Sequence, residues 1–545
     1  MKVIVDLSIR YGLFVLIMLL TLLVGFGSLA HPEWRVYLIL LVPLALVGLW
    51  DLMQPRHNLL RNYPLVAHIR WMFETSRPYL RQYIVESDLS ERPFNRKQRS
   101  LVYERAKNTV DSQPFGTDLD LYNTQYELLT HSICARKIED TNFRFRVGGP
   151  QCSQPYDVSL LNISAMSFGA LSGKAIEALN KGAAIGGFYH DTGEGGISSY
   201  HRRHNGDLVW EIGTGYFGCR DQAGHFDLAL FAKQARRDQV KMIEIKISQG
   251  AKPGHGGVLP GIKVTEEIAL ARHVPVGVAC VSPPAHSTFR TPIELLEFVA
   301  LLREHSGGKP VGIKLCIGHP WELFAICKAM LKTDILLDFI VVDGAEGGTG
   351  AAPEEFSDHL GMTLREGLIL TRNALVGTGL RNHVSLGASG KVCSAFSIAS
   401  NLALGADWCN AGRAFMFSLG CVMSKKCHTD KCPTGITTQN PNRQHGLVVA
   451  DKSIRVANFH RNTLARLGEL IGAIGLEHPS ELRPHHLHHR TSPNAIATMD
   501  KIKEFLPYRA LLDDPDATPY AEWWAAASPD SFQPLQHTGP GQYRR

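Results

Sequence analysis

The sequence predicts an α/β fold, a (β/α)8 TIM barrel preceded by a two-helix transmembrane hairpin. Three observations predict it. Two apolar runs open the chain, short apolar strands alternate with helix-period segments over residues 151–441, and glycine-rich turns follow successive strands. An open doubly wound sheet is the alternative, and it is disfavoured because no G-x-G-x-x-G turn opens a first βα unit.

Length and composition are those of a globular protein with one large domain and appendages, or with two or three domains. The chain has 545 residues, a net charge of +6, 44% hydrophobic residues and 20% charged residues. This slight positive charge does not indicate a nucleic-acid partner. The eleven cysteines are dispersed except for one group of three, which is typical of a reducing compartment rather than a disulfide framework.

The N-terminal residues predict a membrane hairpin. Gly12–Ala30 carries no charge and is long enough to span a bilayer, and a second apolar run follows at Tyr37–Leu49. Lys2 and Arg10 precede the pair and Arg56 follows it. Positive charge on both outer flanks predicts an inner-membrane protein with two helices and the barrel on the cytoplasmic side. A signal peptide is the competing interpretation, and the second apolar run disfavours it.

Composition shifts along the chain predict five segments. They are a transmembrane hairpin (1–55), a connector (56–150), the barrel (151–441), a helical extension (442–528) and a disordered tail (529–545). The tail is expected to be disordered because it is rich in Pro, Gly and Gln.

Eight short apolar segments are the candidate barrel strands. They are Leu161–Ser167, Gly187–His190, Met242–Ile247, Gly277–Ser282, Val311–Ile317, Phe339–Asp343, His383–Gly387 and Trp408–Gly412. Helix-period segments fill most of the intervals between them. In a barrel of this kind the chemistry lies at the carboxyl ends of the strands.

The last strand ends are glycine-rich. Turns at residues 387–391 and 412–413 offer backbone N–H groups to a phosphate, and Arg413 adds a fixed charge. Lys314 on the fifth strand is placed either to stabilise the anion of a reduced flavin or to serve as a paired structural lysine inside the barrel.

Three cysteines close the barrel segment. Cys421, Cys427 and Cys432 are spaced C-x5-C-x4-C. This spacing indicates a cluster with three cysteine ligands, such as [3Fe–4S]. Zinc with His428 as a fourth ligand and three unrelated buried thiols are the alternatives.

Residues 162–441 resemble the FMN-binding domain of glutamate synthase. The matching stretches, in the family's order, include ISAMSFGALS, HDTGEGGIS, KISQGAKPGHGGVLPG, DGAEGGTGAAP, LGASGKV and KKCHTDKCPTGITTQNP. The whole chain is more loosely similar to the stand-alone, membrane-anchored FMN-binding glutamate synthase family proteins.

The resemblance implies an oxidoreductase acting on CH–NH2 donors that contains FMN and a [3Fe–4S] cluster. Family chemistry forms 2-iminoglutarate from 2-oxoglutarate and ammonia, and hydride from FMN reduces it to glutamate. By motif, Lys252 and the less certain Arg272 hold 2-oxoglutarate, and Glu194 is an acid near the substrate. The implied cluster ligands are Cys421, Cys427 and Cys432, and the implied FMN contacts are Met166, Ser167, Lys314, Gly347, Gly348, Gly350, Gly387, Gly390, Gly412 and Arg413.

The sequence also departs from the family pattern. Val258 stands where the family has a substrate-contacting glutamine. Neither a glutaminase segment nor a dinucleotide motif is expected, so ammonia would come from solution or a separate amidotransferase, and electrons from a separate donor protein. Two alternative functions stay open: an oxidoreductase acting on another imine or an N-alkyl amino acid, and a non-catalytic, membrane-tethered electron-transfer module.

Overall fold

The protein is described by a computed structural model covering residues 2–535, with backbone alone for residues 2–9. It divides into two compact units, one that ends at Lys97 and one that begins at Gln98.

The first unit begins with two packed helices, α1 (Lys2–Ala30) and α2 (Arg35–Met53). Glycines permit close approach between them, since a Cβ atom on Gly48 would lie 2.3 Å from the Phe14 ring. Both helices are long and apolar enough to cross a membrane, by length and composition. Two shorter helices, α3 (Asn58–Asn62) and α4 (Ala67–Leu80), and a π-helical turn at Arg81–Val85 follow.

The second unit is built on fifteen short strands and the helices between them. The strands are β1 (Glu127–Leu129), β2 (Arg144–Val147), β3 (Tyr156–Ser159), β4 (Leu161–Ile163), β5 (His190–Asp191), β6 (Leu208–Ile212), β7 (Val240–Lys246), β8 (Val258–Leu259), β9 (Cys280–Val281), β10 (Val311–Leu315), β11 (Phe339–Asp343), β12 (Ser385–Ser389), β13 (Trp408–Ala411), β14 (Leu487–Ser492) and β15 (Ala495–Thr498).

Eight of these strands form a closed parallel barrel, which confirms the predicted (β/α)8 fold. In chain order they are β4, β5, β6, β7, β10, β11, β12 and β13, and β13 pairs with β4 to close the ring. The remaining strands form three small antiparallel sheets, β1–β14–β15, β2–β3 and β8–β9.

One predicted barrel strand is wrong and one was missed. Gly277–Ser282 contributes only β9, which pairs with β8 in a hairpin outside the barrel. Its apolar run has the composition of a buried strand, but Val278 and Val281 are exposed. The third barrel strand is Leu208–Ile212, whose internal Glu211 breaks the apolar pattern. That carboxylate is tolerated because a buried lysine from another strand compensates it, as described below.

Helices alternate with the barrel strands, as the pattern predicts, and further helices precede and follow the barrel in the chain. They are α5 (Arg96–Lys107), α6 (Gly173–Gly186), α7 (Ser199–Arg202), α8 (Leu228–Ala235), α9 (Glu266–Arg272), α10 (Pro292–His305), α11 (Pro320–Thr333), α12 (Glu354–His359), α13 (Leu364–Gly377), α14 (Ala395–Ala403), α15 (Arg413–Ser418), α16 (Pro441–Gln444), α17 (Val449–Ile474), α18 (Met499–Ile502), α19 (Ala510–Asp513) and α20 (Ala521–Ala526).

The C-terminal part of the chain packs back on the barrel helices. A Cβ atom on Gly182 of α6 would lie 2.4 Å from Val456 of α17, so the two helices touch closely. Asp530 forms an ion pair of 2.8 Å with Lys332 of α11. The rest of the predicted disordered tail, residues 536–545, lies outside the described residues.

Candidate functional site

The loop after β5 places Glu194 in a carboxylate-sized space between two glycines. A Cβ atom on Gly257 would lie 2.2 Å from a Glu194 oxygen, and one on Gly213 would lie 2.8 Å from its Cβ atom. Glu194 Oε2 lies 3.1 Å from Nζ of Lys246, the last residue of β7. Glu194 is therefore paired with Lys246.

The electrostatic surroundings keep Glu194 ionised. Burial by itself would raise the pKa of Glu194, but Lys246, Arg272 and Lys252 outweigh burial and lower that pKa. A lowered pKa favours the carboxylate at neutral pH rather than the neutral acid of a proton donor. Burial, in contrast, lowers the pKa of Lys252, and Lys246 adds to this effect while Glu194 opposes it.

Arg272 and Lys252 lie at the same end of the barrel. Arg272 donates from Nη2 to the Phe168 carbonyl at 3.0 Å and to Ser167 Oγ at 3.3 Å, while its buried Nε has no hydrogen-bond partner within the described chain. Lys252 is almost fully buried in the loop after β7. These contacts bring Ser167 and both predicted substrate cations into one region.

A small cavity lies among these groups. Its volume is about 20 Å³, and its walls include Glu194, Thr214, Lys246, Gln249 and Lys252. This is room for about one water molecule, so a dicarboxylate would displace part of the wall. Val258 is not part of that wall and is 43% exposed on β8.

Lys246 was missed by the sequence reasoning. The available signal was a charged residue at the last position of an otherwise apolar strand, the place where a barrel presents its chemistry. It lies in the stretch KISQGAKPG, in which the family resemblance points to Lys252 alone as a substrate-binding residue.

A second group of charges lies inside the barrel. Lys314 contacts Glu211 Oε2 in a very short ion pair, and its Nζ lies 3.2 Å from Glu244 Oε1 without hydrogen-bond geometry. Carboxylate oxygens of Asp191, Glu211 and Glu244 all lie within 4.8 Å of one another. The Lys314 ammonium therefore supplies the cation that such a buried acidic group requires.

Burial affects the protonation of this acidic group. Burial raises the pKa of Glu244 well above its usual range, and the neighbouring Asp191, hydrogen-bonded to it, raises it further. Burial also raises the pKa of Asp191. Both shifts favour the neutral carboxyl form, whereas Glu211 forms the close ion pair with Lys314.

The ends of β4, β12 and β13 meet at the predicted phosphate turns. Ser164 Oγ lies 3.3 Å from Ser389 Oγ, and an added Cβ atom on Gly412 would make ordinary van der Waals contact with Met166 Sδ and Ser164 Cβ, each at 3.7 Å. Gly390 has φ +148° and follows β12 directly. Gly387 is placed elsewhere: it lies within β12, where a Cβ atom would lie 2.7 Å from the Trp408 ring.

The loop after β11 is held from two sides. Arg413 donates from Nη2 to the Glu346 carbonyl in a very short contact, and its Nε would lie 2.8 Å from a Cβ atom on Gly348. From the other side, a Cβ atom on Gly250 would lie 1.8 Å from the Gly344 carbonyl oxygen. Gly347 also lies close to the Gly344 carbonyl oxygen, whereas the space beside Gly350 is open.

A glycine run with dinucleotide spacing occurs after β6, contrary to the sequence expectation. Residues 213–218 read G-x-G-x-x-G, but no helix begins there, and α8 starts only at Leu228. A dinucleotide fingerprint needs a helix N-terminus directly after its turn. Gly213 and Gly215 are instead packed against Glu194 and the Phe217 ring.

The three predicted cluster cysteines are free thiols on the irregular loop after α15. Burial raises the pKa of Cys421 to about 12, and the nearby Cys427 and Cys432 raise it too. Within the described residues the three sulfurs do not all lie within 4.8 Å of one another.

Donors also surround the cysteine loop. Met423 N–H donates to Cys421 Sγ at 3.4 Å, and Thr434 Oγ1 lies 3.4 Å from Cys432 Sγ. The buried Lys263 donates to the Cys427 carbonyl at 3.3 Å. Hydrogen bonds to the sulfurs and a nearby cation are features of protein iron–sulfur sites.

Comparison with known proteins identifies the family of this chain. The family described as "Conserved region in glutamate synthase" matches residues 120–477. The glutamate synthase large subunit-like protein YerD of Bacillus subtilis is 35% identical over 507 residues, which cover 85% of this chain and 96% of that protein. The archaeal glutamate synthase (NADPH) of Methanocaldococcus jannaschii is 33% identical, and the match covers 66% of each chain.

Two further similarities are partial. The chain spans only 21% of the glutamate synthase (NADPH) large chain of Azospirillum brasilense, at 32% identity. A solved structure of mandelate oxidase is 15% identical and covers 71% of this chain and 97% of its own, with a TM-score of 0.41.

With the family match spanning residues 120–477 and a relative aligned over nearly its whole length, this chain belongs to the glutamate synthase family of oxidoreductases.

Proposed function

We propose that this protein is a membrane-anchored oxidoreductase that reduces 2-iminoglutarate, formed from 2-oxoglutarate and ammonia, to glutamate. The observation that carries the proposal is the charge around Glu194. Lys246, Lys252 and Arg272 all act on this one carboxylate. Two positive charges are left in excess, equal to the two negative charges of 2-oxoglutarate, and buried cations of this kind need anionic partners.

The chain's own groups account for the proton that the reaction needs. Reduction of the imine adds a hydride to carbon and a proton to nitrogen. Lys252 is the favoured proton donor, because burial lowers its pKa and makes the proton easier to release. Glu194, ionised beside Lys246, orients the positively charged imine nitrogen rather than protonating it.

The residues present fit FMN. Bound FMN would supply the hydride, and a [3Fe–4S] cluster would pass single electrons to it. Gly390, Gly412 and Arg413 would hold the phosphate, and Met166 and Ser167 would contact the ring. Lys314 would face the ring edge where negative charge develops. The meeting of the ends of β4, β12 and β13, where Ser164 Oγ lies 3.3 Å from Ser389 Oγ, supports this assignment.

The residues also fit a three-cysteine cluster. Cys421, Cys427 and Cys432 would be its ligands, with Lys263 compensating its negative charge. We place the electron donor on a separate protein, because the G-x-G-x-x-G run at 213–218 lacks its helix. Ammonia would come from solution or from a separate amidotransferase.

Two packed apolar helices of membrane-spanning length support an anchor rather than a signal sequence, which needs one such segment. Positive residues on both outer flanks support a cytoplasmic barrel.

An anaerobic experiment tests the chemistry. The full chain, loaded with FMN and iron–sulfur cluster in detergent, is reduced chemically, and flavin absorbance is followed after addition of 2-oxoglutarate and ammonium. Flavin reoxidation with stoichiometric glutamate supports the proposal. Reoxidation by another imine or an N-alkyl imino acid alone would replace the substrate. No response to any imine, with rapid electron exchange to an acceptor protein, would favour the electron-transfer module.

A further inference from the structure

The segment after the apolar hairpin exposes an unusual amount of apolar surface. In α4 and the turn that follows it, most large apolar and aromatic side chains are exposed, namely Ile69, Trp71, Met72, Phe73, Tyr79, Leu80, Tyr83, Ile84 and Val85. A helix of a globular protein ordinarily buries one apolar face. Within the described chain, α4 buries only Ala67.

The start of α4 is fixed to the end of α2. Asp51 lies in the last turn of α2 with a fully buried side chain, and it accepts hydrogen bonds of 2.9 Å from the Leu65 N–H and from His68 Nε2. Gln54 closes the turn between them by donating to the Asp51 carbonyl at 3.0 Å. The first turn of α4 is therefore held beside the point where a membrane-length helix ends.

Along α4 runs an open groove with a volume of about 1040 Å³. Its apolar wall includes Val66, Ile69, Phe73 and Leu80, and its polar side is formed by Arg70, Arg77 and Arg81 with a single acid, Glu74.

Two of these three arginines have ion-pair partners. Arg70 lies 3.6 Å from Glu74, and Arg81 pairs with Glu86. Arg77 has no ion-pair partner among residues 10–535. Arg70 and Arg77 lie seven residues apart, on one side of α4, and Arg81 follows in the π-helical turn; all three line the same groove.

We propose that α4 lies in the headgroup region of the bilayer and that this groove binds an anionic phospholipid. Arg70, Arg77 and Arg81 would hold the phosphate, and an acyl chain would lie against Ile69 and Phe73. Basic residues beside an apolar stripe are the pattern of interfacial helices, and arginines next to a membrane span favour anionic lipid. The proposal rests on the membrane anchor proposed above.

The test uses the full chain in nanodiscs of phosphatidylcholine alone or with a third of the lipid replaced by phosphatidylglycerol. Amide hydrogen exchange of residues 67–85 is measured, and retained lipid is counted by native mass spectrometry. We expect exchange to slow on the order of tenfold with phosphatidylglycerol. The variant R70Q/R77Q/R81Q should lose this difference and its retained phosphatidylglycerol. The charge-matched control K137Q/K233Q/K501Q, in three exposed lysines of the second unit, should keep both.

Further results test the apolar contacts, the identity of the bound molecule and the membrane anchor. I69S/F73S should speed exchange in both lipids. Equal exchange of the wild type in both lipids, with the hairpin inserted, would overturn the lipid site and leave the anchor intact. Protection that depends on two copies per disc would identify a second copy of the chain as the occupant. Failure of the hairpin to enter the bilayer would overturn the anchor and the lipid site together.

Discussion

Lys246 and Lys314 are register partners on the neighbouring strands β7 and β10, yet their ammonium groups are neutralised by different carboxylates. Lys246 pairs with Glu194 at the carboxyl end of the barrel, whereas Lys314 pairs with Glu211 and lies beside Glu244 in the interior. Glu211 and Glu244 are themselves register partners one layer below. The two lysines therefore occupy different charge environments, one at the carboxyl end of the barrel and the other in its interior.

Replacing Glu211 with Gln should raise the flavin reduction potential. The change removes the ionised partner of Lys314, so more positive charge remains to stabilise the reduced flavin. For a two-electron couple, about 30 mV corresponds to 1.4 kcal/mol, and we expect a shift of this order. Spectroelectrochemical titration measures it. Glu297→Gln, an exposed position on α10, is the matched control. An unchanged or lower potential would contradict the assignment of Lys314 to the flavin.

Replacing Lys246 with Gln should weaken binding of 2-oxoglutarate roughly tenfold or more, because an unpaired buried carboxylate then faces the substrate. Isothermal titration calorimetry on the FMN-loaded protein measures the affinity. Lys241→Gln serves as control, since Lys241 lies on the same strand and pairs with Asp207 away from the cavity. Equal affinities of the two variants would remove Lys246 from the substrate site.

Replacing Cys432 with Ser should abolish iron and acid-labile sulfide in the purified protein, since a three-cysteine cluster has no ligand to spare. Cys134→Ser, at an exposed cysteine elsewhere, should leave both unchanged. Metal analysis and low-temperature electron paramagnetic resonance measure the result. Zinc in place of iron in the wild type would favour the Cys3His alternative with His428.

Stability should fall as the pH is lowered below 6.5. Burial lowers the pKa of His460 from 6.5 to about 3, and burial lowers that of His190 to about 3 as well. Between these values the unfolded chain binds protons that the native chain does not bind, so stability rises with pH through this window. Each such histidine contributes a slope of about 1.4 kcal/mol per pH unit.

His460→Gln isolates one of these protons. Glutamine can keep a hydrogen bond to Ser159, which lies 2.8 Å from His460 Nε2. Denaturant unfolding at several pH values should show the slope reduced by one proton, whereas His445→Gln, at an exposed histidine, should leave the slope unchanged. An identical slope in both variants would show that His460 titrates normally in the native state.

The sequence predicted the barrel because its signal is repeated along the chain. It could not identify Leu208–Ile212, since Glu211 is acceptable in a strand only when Lys314, a hundred residues later, is known to face it. The pairing of Lys246 with Glu194 also joins residues far apart in the chain, so the sequence alone could not show it. Conversely, the apolar run around Val278 predicts a barrel strand that does not form, because local composition does not report exposure. Pairings between strands were the information that the sequence pattern lacked.

The close approach of Gly250 to Gly344 joins the two sides of the site. Each loop forms part of one side, Gly250 following β7 near the small cavity and Gly344 following β11 near Arg413. A hydrogen bond of 2.8 Å from the Gly250 N–H to Asp343 links the two loops. Because a side chain on Gly250 would collide with the Gly344 carbonyl oxygen, any larger residue at this one position would displace both loops and so alter both sides of the site.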